Sequence, residues 1–151
     1  MRYSPKFYKD LLAPEGTTQY LYEEKYLKFA MFQGFSVGAV CARMEKREED
    51  GKYNLYVMVI NVLAAYRRRG VASQLLKYLT DTAAKDERVY QLVLHVQTSN
   101  DEAKAFYLAN GFDDMGVVQD YYKNVEPTSA FLMQKKNEFV APEAASEAIK
   151  K

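Results

Sequence analysis

Residues 53–76 read YNLYVMVINVLAAYRRRGVASQLL, and the fold turns on how this stretch divides. Tyr53 to Val62 is a nearly continuous run of β-branched, aromatic and other apolar residues, the pattern of a strand buried on both faces. Gly70 to about Ala84 sets Val71, Leu75, Leu76, Leu79 and Ala83 at helical spacing along one apolar stripe. Between the two lies Tyr66-Arg67-Arg68-Arg69-Gly70-Val71-Ala72. Three arginines therefore stand at a helix start, where the macrodipole is already positive and cations weaken the helix slightly. An anion over that turn would resolve the conflict. A strand running into a turn and then a helix presents free backbone N–H groups. Gly70 and Ala72 keep the turn nearly bare, and the arginine fork suits phosphate. The turn has the parts of a pyrophosphate cradle, although three arginines on a corner also fit a plain solvated surface. It is neither the GxxxxGK[ST] loop nor the dinucleotide GxGxxG.

Working outward, Ser4 to Leu12 reads as a short helix or turn capped by Ser4, and APEGTT (13–18) as a loop. A hairpin is expected from Leu27 to Met44 around Gly34, followed by a charged turn over Glu45–Lys52. After the central helix, Tyr90 to Val96 is a second apolar strand. TSNDEAKAFYLANGF follows as a short helix, with Ser99 or Asn100 as cap, Ser99 and Glu102 at capping-box spacing, and Gly111 as a left-handed stop. Strands are expected at Asp114–Val118 and Ala130–Lys135. The order predicts one α/β domain, a mixed central sheet flanked by helices, over residues 1–137. The tail, 138–151, is alanine- and glutamate-rich and is expected to be flexible.

Composition narrows the function classes. The chain has 151 residues, 48% of them apolar, enough for one domain with a real core. Lys and Arg number 21 against 20 Asp and Glu, a balance that argues against a dedicated nucleic-acid binder. Cys41 and His95 are the sole cysteine and histidine. An internal disulfide is therefore impossible, and a zinc site would need carboxylates for most of its ligands. No apolar run reaches membrane-spanning length, and the first sixteen residues lack a signal-peptide core.

Arg67 to Ala72 fits R/Q-x-x-G-x-G/A, the coenzyme A signature of the GCN5-related N-acetyltransferases (GNAT). The blocks around it, LHVQTSNDEAKAFYLANGF and DYYKNVEPTSAFLMQK, sharpen the resemblance, which is to the San-type N-alpha-acetyltransferases that form the NatE catalytic subunit. It spans roughly Tyr3 to Lys135. It implies a GNAT fold with a splay between two parallel strands, here Tyr53–Val62 and Gln91–Val96. It implies acetyl-CoA as cofactor, held by Val59, Ile60 and Val62 and by Arg67, Arg68, Arg69, Gly70, Val71 and Ala72, with Asn100 and Tyr107 at the thioester end. No metal is required. Tyr56 and His95 match the pair that deprotonates the peptide amine through a water. Tyr3, Met58, Tyr121, Tyr122 and Val125 match residues that contact the peptide.

The residues themselves allow this chemistry without demanding it. An α-amine has a pKa near ~8, so a modest base such as His95 suffices, while a phenol near ~10 is a poor base alone. Tyr56 is therefore assigned water positioning or a shared proton path, and Tyr107 the role of general acid to the cofactor sulfur. A half-buried histidine with one backbone bond and two packing tyrosines would look the same in sequence. In San-type proteins a first strand and most of a first helix precede the segment matching YSPKFYKD; here they are expected to be missing or replaced. About ten extra residues around Ala13–Tyr26 are expected to supply a substitute strand or leave an open sheet edge. The resemblance implies acetylation of peptide or nascent-chain N-termini, chiefly an initiator Met before an apolar residue. It also implies docking on the large N-terminal acetyltransferase complex near ribosomes, in the cytoplasm and also the nucleus. A lysine or small-amine acetyltransferase and a CoA-binding structural subunit stand as alternatives, with no direct nucleic acid and no membrane.

Overall fold

The computed structural model describes residues 20–141. The expectations for Tyr3, for the Ser4–Leu12 helix, for the 13–18 loop and for the tail from Pro142 lie outside those residues. Among the described residues seven strands form one mixed sheet: β1 (Tyr20–Leu21), β2 (Leu27–Phe32), β3 (Phe35–Lys46), β4 (Tyr53–Val62), β5 (Val89–Gln97), β6 (Asp113–Val118) and β7 (Ala130–Lys136), with helices α1 (Val71–Ala83) and α2 (Asp101–Ala109). The spatial order is β1-β3-β4-β5-β7-β6, and β2 also pairs with β3. Within this sheet only β4 and β5 are parallel, joined through α1 as a crossover between parallel strands requires.

The twelve residues of β3 template two partners along one edge. β2 folds back through the Gln33–Gly34 turn and pairs from Phe32↔Phe35 to Leu27↔Cys41, and β1 takes the far end at Tyr20↔Glu45 and Leu21↔Met44. Within the extra segment, Tyr20 and Leu21 thus form a two-residue strand on the same edge of β3 as β2. A 3₁₀ turn at Glu24–Tyr26 joins the two, and it is tied down by Asp86. That carboxylate accepts from Lys25 Nζ at 2.9 Å, from the Tyr26 hydroxyl at 2.8 Å and from Arg88 Nη2 at 2.8 Å.

The amphipathic stripe of α1 is buried at Leu75, Leu76, Leu79 and Ala83, against Val40, Ala42, Met44, Leu55 and Val57. Each of the leucines contributes roughly 1.5–3 kcal/mol of burial. The expectation that β4 is buried on both faces is corrected: only Leu55, Val57 and Val62 are buried, and the rest are half-exposed. Two features cause this. Pairing with β5 ends at Tyr56↔Val93, although β4 runs on to Val62 and β5 to Gln97. In addition, Ala42 pairs with Val57 while Cys41 pairs with Val59, leaving Met58 as an inserted residue. This bulge moves the α1-facing positions from 55 and 57 to 60 and 62. After β7 the chain stays on the body as far as Val140, whose N–H donates to the Ala84 carbonyl at 2.9 Å.

Candidate active site

The parting of β4 from β5 opens a cleft of about 780 Å³. Its walls are the outer end of β4 (Ile60, Asn61, Val62), the following turn (Ala64, Tyr66, Arg67, Arg68, Gly70), the start of α1 (Val71, Ala72, Ser73) and one side of α2 (Asn100, Glu102, Ala103, Phe106, Tyr107). The local sequence explains the turn. Gly70 is the N-cap of α1 at φ 79°, a left-handed conformation that glycine adopts without steric cost. It brings no capping side chain, and the first intrahelical bond is Gln74 N–H to the Gly70 carbonyl at 3.0 Å. The N–H groups of Val71, Ala72 and Ser73 are left to face the cleft, as an anion site needs.

The three arginines divide their work. Arg68 lines the cleft and itself sits at φ 63°. Arg67 also lines it, but its Nε donates to the Val62 carbonyl at 3.0 Å, fixing the turn to the end of β4. Arg69 is not among the lining residues, and its guanidinium lies 5.8 Å from the Tyr66 ring centroid. Val59, which follows the Met58 bulge and pairs with Cys41, is likewise absent from the lining. Asn61, Tyr66, Ser73 and Phe106 line the cleft without having been singled out from sequence; Asn61 and Ser73 could have been found by extending the strand and turn motifs one residue.

On α2 the capping-box expectation is corrected. The Asn100 side chain accepts from Ala103 N–H at 3.1 Å and is the cap, while Glu102 lines the cleft. Tyr107 lies edge-on to Phe106 and Phe112, with ring centroids 5.1 and 5.5 Å away. Burial pushes its phenol up to about 12.

At the inner end of the splay stand Tyr56 and His95. The register sets Tyr56 against Val93, and His95 lies two residues further, so both share the sheet face opposite α1. The Tyr56 hydroxyl is 2.9 Å from His95 Nδ1. It is also 2.6 Å from the hydroxyl of Tyr121, whose ring stacks on the imidazole at 3.9 Å and 16°. Burial pushes the His95 pKa below its ordinary 6.5. Burial, and then the hydrogen bond and field of Tyr121, hold Tyr56 well above the usual phenol range.

Tyr121 and Tyr122 sit in the β6–β7 loop, edge-to-face at 5.0 Å. That loop is anchored by Tyr122 N–H to the Thr128 carbonyl at 2.8 Å and Gln97 Nε2 to the Pro127 carbonyl at 2.9 Å. Val125 in the same loop is 51% exposed, and Met58 is half-exposed at the bulge. Among the described residues no group of three or more His, Cys, Asp or Glu could hold a metal.

A parted parallel strand pair, a bare helix start and an imidazole at the crotch define the class. The acetyltransferase (GNAT) family model matches residues 2–112, and the chain belongs to that family of acetyl-transferring enzymes. It is 35% identical over 133 residues to N-alpha-acetyltransferase 50 of Danio rerio, covering 88% of this chain and 73% of the relative. It is 33% identical over 140 residues to the probable N-acetyltransferase san of Drosophila melanogaster, covering 93% and 70%. Among solved structures, Arabidopsis thaliana Naa50 in complex with the bisubstrate analogue CoA-Ac-MVNAL superimposes with a TM-score of 0.72 at 34% identity, covering 89% of this chain and 82% of that one.

Proposed function

We infer that this protein is an acetyl-CoA-dependent N-alpha-acetyltransferase that acts on peptide N-termini. The observation that carries the reading is that the β4–β5 pairing ends at Tyr56↔Val93, with the cleft beyond that point on the α1 side and the Tyr56–His95 pair at the same point on the opposite sheet face. The cleft fits coenzyme A. The Val71, Ala72 and Ser73 N–H groups with Arg68 would hold the diphosphate, and the β4 backbone at Ile60 to Val62, past the end of its pairing with β5, would lie along the amide-bearing arm. Acetyl-CoA supplies the acetyl group as a thioester, whose carbon the amine nitrogen attacks with release of the CoA thiol.

The chain's own residues then have defined tasks. The Tyr56–His95 pair removes the ammonium proton, directly or through a water. The lowered His95 pKa keeps the imidazole neutral and receptive at pH 7. Tyr107, at about 12, stays protonated and can donate a hydrogen bond to the departing sulfur. Full proton transfer from so weak an acid to a thiolate of ordinary pKa near ~8.5 is uphill, so Tyr107 acts as a hydrogen-bond donor rather than a complete general acid. Tyr121, Tyr122, Met58 and Val125 are the described candidates for the peptide side.

A preference for Met before an apolar residue is supported by the Arabidopsis relative, whose bound analogue begins Met-Val. Association with a larger N-terminal acetyltransferase complex at the ribosome, in the cytoplasm, belongs to the same proposal and rests on the resemblance to San-type enzymes. The test is CoA release with peptides beginning Met-Leu, Met-Lys, Ser and Ala, followed by mass spectrometry of the product. Fastest release with Met-Leu and acetyl only on the α-amine is expected. Acetyl only on lysine side chains, or no release with any peptide, would overturn the reading.

A further inference from the structure

Three aromatic groups form one hydrogen-bonded chain: Tyr121 hydroxyl, Tyr56 hydroxyl, His95 Nδ1, with separations of 2.6 and 2.9 Å. The chain runs from the solvent side, where Tyr121 is 38% exposed, to a half-buried imidazole. Proton transfer to this pair requires the chain to change direction. For the pair to take a proton, the neutral imidazole must carry its hydrogen on Nε2, so that Nδ1 accepts from the Tyr56 O–H. When an amine N–H bond breaks and its proton reaches the Tyr56 oxygen, the phenol's own proton passes to Nδ1. The new Nδ1–H then donates to Tyr56, and the new Tyr56 O–H needs an acceptor. The Tyr121 oxygen is the acceptor in place, and its exposure lets its own O–H turn to water. The Tyr121 ring face, parallel to the imidazole at 3.9 Å, favours the same charged state by a cation–π contact.

We propose, building on the acetyltransferase reading, that Tyr121 is a positioning residue for the base: acting through Tyr56, its hydroxyl and its ring make the His95 imidazole able to accept the substrate's proton. Both contributions oppose burial, which disfavours an imidazolium. The other described groups facing the pair do not supply this help. Leu132 of β7 lies opposite His95. On β3, Arg43 lies 5.6 Å from the Tyr56 ring and is paired with Glu45 at 2.9 Å. Tyr122 lies edge-to-face with Tyr121 at 5.0 Å and reaches Tyr56 only as a minor electrostatic neighbour.

Because His95 is the sole histidine, its titration can be followed by imidazole NMR without ambiguity. In Tyr121→Phe, which keeps the ring and loses the hydroxyl, the proton affinity of His95 should fall about three- to tenfold, the worth of one hydrogen bond. Tyr121→Leu should lower it further, and Tyr122→Phe should leave the His95 titration where it is. With the Met-Leu peptide, Tyr121→Phe should lower kcat by a similar factor and leave the KM for acetyl-CoA unchanged. A His95 titration in Tyr121→Phe that coincides with wild type, or an effect confined to the peptide KM, would overturn the proposal. The titration needs no turnover, so it decides this point even if no peptide is acetylated. Tyr121→Phe adds no volume, so its titration remains decisive even if the leucine variant does not fold.

Discussion

Removing the Asp86 carboxylate tests how the segment before β2 is fastened to the sheet. The Asp86 side chain is 4% exposed. Besides Lys25 and Tyr26, it accepts from Arg88 Nε at 3.0 Å and from the Arg88 backbone N–H at 3.1 Å. Arg88 Nη2 in turn reaches both Glu23 oxygens, at 2.8 and 2.7 Å. Burial works to raise the Asp86 pKa, but the hydrogen bonds from Arg88, Lys25 and Tyr26 outweigh it and hold the carboxyl well below the usual range. Asp86→Ala strands the Tyr26 hydroxyl in a side chain that is 0% exposed. Breaking a buried pair costs roughly 3–5 kcal/mol. Here the Lys25 and Arg88 side chains are 43% and 39% exposed and can turn to water, which screens part of the loss. About 2–3 kcal/mol is therefore expected. At roughly 2–4 °C per kcal/mol for a chain of this size, the melting temperature should drop by about 4–12 °C. The folded pKa lies below the unfolded value near ~3.9, so the contribution is complete at pH 7 and is lost as pH falls through the folded value. The gap between variant and wild type should accordingly be full at neutral pH and close in strong acid. Thermal unfolding followed by circular dichroism measures both. Equal melting temperatures at pH 7 would refute the reasoning.

Two further outcomes follow from the site. Arg68→Glu should weaken CoA binding by about 10- to 100-fold, the worth of a charge-assisted hydrogen bond. Arg69→Glu, whose guanidinium lies by Tyr66 outside the cleft, should do much less. Isothermal titration compares them, and equal losses would show that bulk charge rather than the cradle attracts the anion. Because burial lowers the His95 pKa and the neutral imidazole is the working form, the acid limb of kcat/KM should fall below pH ~6.5 and vanish in His95→Ala. An acid limb centred above neutrality in the wild type would remove His95 from that role.

The fold was legible in sequence where the signal is local. The Leu75, Leu76, Leu79, Ala83 stripe fixed α1 to within a residue, and the apolar run at 53–62 gave the bounds of β4 outright. Gly111 marked a left-handed position, at φ 88°, because a backbone that needs positive φ selects glycine within one residue; Gly70, read from sequence only as a bare turn residue, is left-handed as well, at φ 79°. What an apolar run cannot report is its exposure once folded: β4 reads as wholly buried, yet its last three residues border a cleft. Nor does R-R-R-G tell three arginines apart, since which one lines a cavity depends on where the turn is pinned, here by Arg67 on the Val62 carbonyl.

The sequence by itself determined the elements, their order and the bare helix start, because apolar periodicity and turn chemistry act over a few neighbouring residues. Only the tertiary structure decided where β4 and β5 part, that Met58 is a bulge, and that Tyr121 lies on His95. The reason is separation along the chain: the Tyr56–His95 and Tyr56–Tyr121 contacts close loops of 39 and 65 residues. No local pattern encodes such a meeting; it is set by the packing of the whole sheet.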